Sequence, residues 1–216
     1  MAMRQKYMAE LEAMNQDVIR MSTCIEEAIE KSVTVLKTMD LKEANKIIVN
    51  DDIIDEMERE IRRECIRILA KQQPVAKDLR RVTAILRMIS DIERIADHCA
   101  HISEYVILLA KEDKLPMPDK IDDMFLKMKE MVVGAIDSFV SEDVDKAGFV
   151  QKSDQVVDDY FDNILNELCE EMKHHPENLK SYVYYVMIIK YVERMADHAT
   201  NMAEWNMYMI TGEMET

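Results

Sequence analysis

Two six-residue strings a hundred positions apart carry the most evident chemistry of this chain: Glu93-Arg94-Ile95-Ala96-Asp97-His98 and Glu193-Arg194-Met195-Ala196-Asp197-His198. Each sets a Glu and an Asp at i, i+4, so in a helix both carboxylates lie on one face. Two further acid pairs repeat with the same i, i+4 spacing, Asp51 with Asp55 and Asp154 with Asp158. Like charges held close need either raised pKa values or a cation between them. Oxygen-only ligands suit hard divalent or trivalent ions. The candidates are Fe, Mn, Mg, Zn or Ca. His101, four residues after Asp97, adds an imidazole to the first set where the second has Asn201. Salt bridges to Arg94, Arg194 or a nearby Lys are the other way to satisfy such acids, and a lone ExxxD in so acidic a chain is ordinarily a solvated face.

The elements that must position these acids are helices. The chain has 216 residues, 48% of them hydrophobic, and only 3 Gly and 4 Pro, a composition poor in turn formers. An all-α protein follows. Leu11, Val18, Ile25, Ser32 and Met39 form one heptad row, and Met14, Met21, Ala28 and Val35 a second, which predicts one long opening helix. Asp40 caps a second helix to about Lys71, the break Gln72-Gln73-Pro74 follows, and a third helix runs from about Val75 to Lys111. Lys111 to Asp119, with Pro116 and Pro118, reads as a linker. The pattern then recurs, with a helix from about Lys120 to Ser141, a cap at Asp143, a helix to about His174, a break at Pro176 and a last helix to about Ile210.

Asp40, Ala44, Asp51 and Asp55 match Asp143, Ala147, Asp154 and Asp158 at an offset of 103, and the break prolines differ by 102. The chain is therefore a duplicated unit, two tandem antiparallel three-helix bundles. Residues 1–112 form the first, 113–119 the linker and 120–216 the second. Because each short break joins antiparallel helices, residues equally far from it face each other. Asp55 and Glu93 stand 19 residues either side of Pro74, and Asp51 and Asp97 stand 23. Asp158 and Asp154 precede Pro176 by 18 and 22, and Glu193 and Asp197 follow it by 17 and 21. Each half thus brings four carboxylates to one level of a hairpin. Glu93 shares its heptad row with Leu79, Leu86, Ala100 and Ile107, and Glu193 shares one with Leu179, Val186, Thr200 and Met207, so both are expected to interrupt an apolar seam.

A formal net charge of −15 disfavours nucleic acid and favours cations or basic surfaces as partners. No apolar run approaches the roughly 18 residues that span a bilayer, and the N-terminal residues show no signal core. A cytoplasmic protein is expected. Cys24, Cys65, Cys99 and Cys169 lack CxxC spacing and read as reduced core thiols, and the 19 Met residues as flexible core filler. Arg62, Arg63, Arg67, Lys71, Lys77, Arg80 and Arg81 gather at the tip of the first hairpin, either a solvated surface or a dock for an acidic partner. No Gly-rich loop is present to cradle phosphate.

With Asp51-Asp52-Ile53-Ile54-Asp55, Gln73-Pro74-Val75-Ala76-Lys77-Asp78-Leu79-Arg80 and both ERxADH strings, nearly the whole chain resembles the PhoU family of phosphate-signalling proteins. The resemblance implies two three-helix bundles with surface-accessible metal sites built from Asp51, Asp55, Glu93, Asp97, His101, Asp154, Asp158, Glu193, Asp197 and Asn201. It also implies a homodimeric negative regulator that is not an enzyme. Its partners would be the phosphate ABC transporter, through the ATPase subunit, and a phosphate-sensing histidine kinase. Three departures from the family pattern stand out: Ala96 and Ala196 stand where Gly is frequent, His101 where Asn is usual, and Asp154-Gln155 where two acids are usual. The rival reading is a carboxylate-bridged di-iron oxidase or iron-storage protein. That chemistry uses two Glu-x-x-His pairs on separate helices, of which only Glu171-x-x-His174 is present.

Overall fold

The computed structural model describes residues 2–113 and 115–213. Met1, Lys114 and residues 214–216, which the expected domain bounds include, lie outside the described residues. Among the described residues six α-helices account for the fold: α1 (Ala2–Thr38), α2 (Leu41–Gln72), α3 (Ala76–Leu109), α4 (Ile121–Ser141), α5 (Val144–His174) and α6 (Leu179–Thr211). A single 3-10 turn, Pro176–Asn178, leads into α6. Local chemistry sets the boundaries. The Asp40 carboxylate accepts hydrogen bonds from the Lys42 and Glu43 amides, and Asp143 does the same for Asp145 and Lys146, so two otherwise unpaired N-terminal donors are satisfied at each helix start. Gln73, in the left-handed region at φ 46°, ends α2, and Gly212 at φ 83° ends α6.

In each half the second and third helices form an antiparallel hairpin completed by the first. The two bundles then join side by side along α3 and α6, so one continuous core runs through both. Between α3 and α4, Leu115 and Met117 pack against this core. Charged side chains reinforce the junction. Glu142, at the turn between α4 and α5, accepts from Arg81 Nη1 at 2.6 Å and from Lys77 Nζ at 2.8 Å. Arg87 lies over the Trp205 ring at 5.4 Å and Arg81 over Phe139 at 5.7 Å, contacts that combine cation–π attraction with apolar packing.

The junction changes the reading of two rows. Because α3 is flanked by its own bundle on one side and α6 on the other, its buried arc is wide, taking in Val82, Ile85, Ile89, Ile92, Ala96, Cys99 and Val106. The row Leu79-Leu86-Glu93-Ala100-Ile107 is therefore the border of the buried surface, not its seam. Leu79 is 42% exposed, and in α6 the corresponding Leu179 is 49% exposed. The acids sit at the edge of the core, where water or a solvated ion reaches them. Cysteine placement also differs from expectation: all four are free and Cys65 and Cys99 are buried, but Cys169 is exposed.

Candidate metal centre

In the first half, the α2/α3 register brings the acids together. One oxygen from each of Asp51, Asp55 and Asp97 lies within 4.8 Å of the other two, the one set of three or more such ligands among the described residues. Glu93 borders them: burial raises its carboxyl, and Asp97 and Asp55 add to the rise against Arg94. The pressure is greatest on Asp51. Burial, with Asp97, Asp55 and Glu93 beside it, pushes that carboxyl up to about 7. Its Oδ1 is buried and meets no hydrogen-bond donor, which is costly for a carboxylate. Asp51 also lines a cavity between α1 and α2 walled by Cys24, Ala28, Ile47, Ile54 and Ala96. Lys31 of α1, paired with Glu27 at 3.3 Å, lines the same cavity, and the acids' own helices add guanidiniums. Arg59 Nη2 pairs with Asp55 at 2.9 Å, and Arg94 reaches Asp97 at 3.1 Å and Glu93 at 3.5 Å.

The second half has the same frame and a different solution. Burial raises Asp158, with Asp154 and Glu193 adding to it, and burial raises Asp197, with Glu193 and Asp154 adding. The four acids Asp154, Asp158, Glu193 and Asp197 therefore share one electrostatic site. Here, however, Lys190 Nζ sits 2.7 Å from both oxygens of Glu193, and the Thr200 hydroxyl donates to Asp154 Oδ1 at 3.1 Å. Arg194 lies 3.7 Å from Asp197.

His101 and Asn201 belong to another neighbourhood. The His101 ring stacks on Tyr191 of α6, with centroids 4.9 Å apart and planes 9° from parallel. Asn201 Nδ2 donates to Asp91 of α3 at 3.3 Å. Both thus face the α3/α6 junction, where His198 Nδ1 lies 2.9 Å from the same Asp91 oxygen and His98 packs 5.4 Å from His198. Burial, with His198 and His101 adjacent, holds His98 down to about 4, so its ring is neutral near pH 7. The ERxADH strings therefore divide their labour: Glu and Asp face the hairpin, and His faces the other bundle.

Asp91, Tyr191 and Lys190 escaped the sequence reading, and Thr200 entered it only as a heptad neighbour of Glu193. Their signal lies in comparing the repeats at the offset of 100, which sets Ser90 against Lys190, Asp91 against Tyr191 and Ala100 against Thr200. The basic tip is largely neutralised within the chain. Arg62 pairs with Glu58, Arg63 with Glu56, Arg67 with Glu64, and Lys77 and Arg81 with Glu142. Arg80 turns its guanidinium to the carbonyl of Met209 at 3.5 Å. The Glu171 and His174 pair of the oxidase reading lies in the last turn of α5, with Glu171 accepting from the Tyr182 hydroxyl at 3.5 Å. It stands thirteen residues beyond Asp158, about 20 Å along the helix, so it has no part in the carboxylate cluster.

A duplicated three-helix bundle, fused along its third helices and bearing carboxylates at matched levels of both hairpins, is the class that this fold and site define. The family model described as the PhoU domain matches residues 18–106 and again 121–205, and the chain belongs to that family. It is similar to the phosphate-specific transport system accessory protein PhoU homologue of Clostridium acetobutylicum, 34% identical and covering 97% of this chain and 96% of that protein. The homologue of Aquifex aeolicus is 36% identical, covering 97% and 95%. Among solved structures, PhoU from Pseudomonas aeruginosa superposes with a TM-score of 0.93 at 32% identity, covering 96% of this chain and all of that one. The phosphate transport system regulatory protein PhoU from Streptococcus pneumoniae gives 0.91 at 29% identity, covering 97% and 99%.

Proposed function

We propose that this chain is a regulatory adaptor of phosphate uptake, a non-catalytic negative regulator that acts by docking and carries a cation on its acidic α2/α3 hairpin. Family membership across both repeats carries the first part, since relatives matched along nearly their whole length are named as accessory proteins of phosphate-specific transport. The partners in this reading are the ATPase subunit of the phosphate ABC transporter and a phosphate-sensing histidine kinase, met at the cytoplasmic face by a homodimer. No described helix is long and apolar enough to cross a membrane, which fits contact with the membrane through partners alone. Exposed Leu126 and Phe149 flank an apolar groove between α4 and α5 that suits docking.

The donor set supports the cation. Asp51, Asp55 and Asp97, with Glu93 beside them, offer oxygen ligands of the kind hard ions take, and the buried, donor-free Oδ1 of Asp51 is the atom such an ion would satisfy. Bound there, the ion would offset the burial and the repulsion that raise Asp51, and would tie α2 to α3. Co-purification with the ATPase subunit and the kinase tests the adaptor. Capture of either is expected, and failure to bind both would overturn it.

A further inference from the structure

The two halves share a helical frame yet neutralise their acids differently, and two substitutions between the repeats account for it. Where the first half has Ser90, the second has Lys190, and where the first has Ala100, the second has Thr200. The Lys190 ammonium is 2.7 Å from both Glu193 oxygens and 5.3 Å from the Phe161 ring centroid on α5. It is thus held between an acid on its own helix and an aromatic face on the facing one. The Glu193 side chain keeps 17% of its exposure and Lys190 37%, so the pair is partly desolvated and its attraction less screened than at an open surface. Thr200 gives Asp154 a hydroxyl donor, whereas Asp51, its counterpart, has an oxygen with none. Ser90 instead accepts from Arg62, whose guanidinium also serves Glu58.

We propose that Lys190 and Thr200 are a resident counter-charge and donor that close the second acidic site, so that a divalent cation occupies the first half and is refused by the second. The inference rests on the cation reading above and assigns its stoichiometry to named residues. A metal entering the second half must displace an ammonium already bound by both oxygens of Glu193 and compete with a hydroxyl for Asp154. In the first half the entering ion meets neither an ammonium nor a hydroxyl on these acids; it competes with the guanidiniums of Arg59 on Asp55 and Arg94 on Asp97, whose side chains are 56% and 59% exposed, so that water screens both pairs.

The test is Mn²⁺ binding to the full chain, followed by electron paramagnetic resonance of free ion and by thermal unfolding. One tight equivalent is expected in the wild type, lost in Asp51→Asn/Asp97→Asn and kept in Asp154→Asn/Asp197→Asn. Lys190→Ser/Thr200→Ala should add a second equivalent, with affinity at the second half raised about tenfold or more. Lys190→Arg, which keeps the charge, should add none. The reciprocal Ser90→Lys guards against a double variant that fails to fold, and it should remove the first equivalent. Equal filling of both halves in the wild type, or a folded Lys190→Ser/Thr200→Ala that gains nothing, would overturn the inference while leaving the cation reading standing. Absence of Mn²⁺ binding in every variant would overturn the cation reading and this inference with it.

Discussion

Asp51→Asn isolates the strain in the first acidic site. The folded chain lifts this carboxyl from 3.8 to about 7, so the folded state holds its proton more tightly than the unfolded one. The stability that this confers is full below about pH 4 and is lost as pH rises through about 7. At about 1.4 kcal/mol per unit the shift sets a ceiling near 4 kcal/mol. Part of the carboxyl is open to solvent, and screening reduces the difference to about 1–2 kcal/mol. Asn is nearly isosteric with the protonated acid, so the two proteins should melt together at pH 4. In chelator at pH 8 the variant should be the more stable by that amount, roughly 2–8 °C for a chain of this size. Scanning calorimetry from pH 4 to 8 reads the divergence. Saturating Mn²⁺ should then reverse the order, raising the wild type by about 2.7 kcal/mol at a hundred times Kd and leaving the variant unmoved. A variant less stable than wild type at pH 8 in chelator, or a difference flat with pH, would refute the reasoning.

Other perturbations test the frame that holds the site. Asp40→Ala and Asp143→Ala remove equivalent caps and should each cost about 1 kcal/mol in denaturant titrations. Gly134→Ala places a Cβ 2.9 Å from Val150 Cγ2 and should cost about 1–3 kcal/mol. Gly148→Ala, with no atom within 4 Å, should instead stabilise α5 by about 0.5–1 kcal/mol in the same titration. Asn206→Ala removes a buried amide that donates to Ala135 O at 2.8 Å and to Ser138 Oγ at 2.6 Å. Its expected cost is about 1–3 kcal/mol, read as a lower thermal midpoint.

The frame was legible because duplication doubles every local signal. Asp40 and Asp143 cap as their positions suggest, and the break prolines set a hairpin register that places Asp51 against Asp97 and leaves Glu93 bordering the cluster. Heptad counting within one helix showed less, because it is blind to a second neighbour. Leu79 and Leu179 look like core by period, yet they mark the exposed border once α3 and α6 pack on each other. The same packing draws His101 to Tyr191 and Asn201 to Asp91, a choice set by the other bundle and absent from the Asp97-to-His101 spacing. Nothing in the spacing singles out Lys190. Only the side-chain path back to Glu193 and across to Phe161 shows it as part of the site.

Complementation joins the site to the proposed role most directly. In a strain lacking this gene and grown in abundant phosphate, expression from a phosphate-starvation promoter is measured with wild type or with Glu93→Gln/Asp97→Asn supplied at equal level, the variant's fold checked by circular dichroism. The wild type should restore repression and the variant should leave the promoter active. Full repression by the folded variant would contradict a regulatory role for the carboxylate site, and a promoter indifferent to the gene would contradict the adaptor itself.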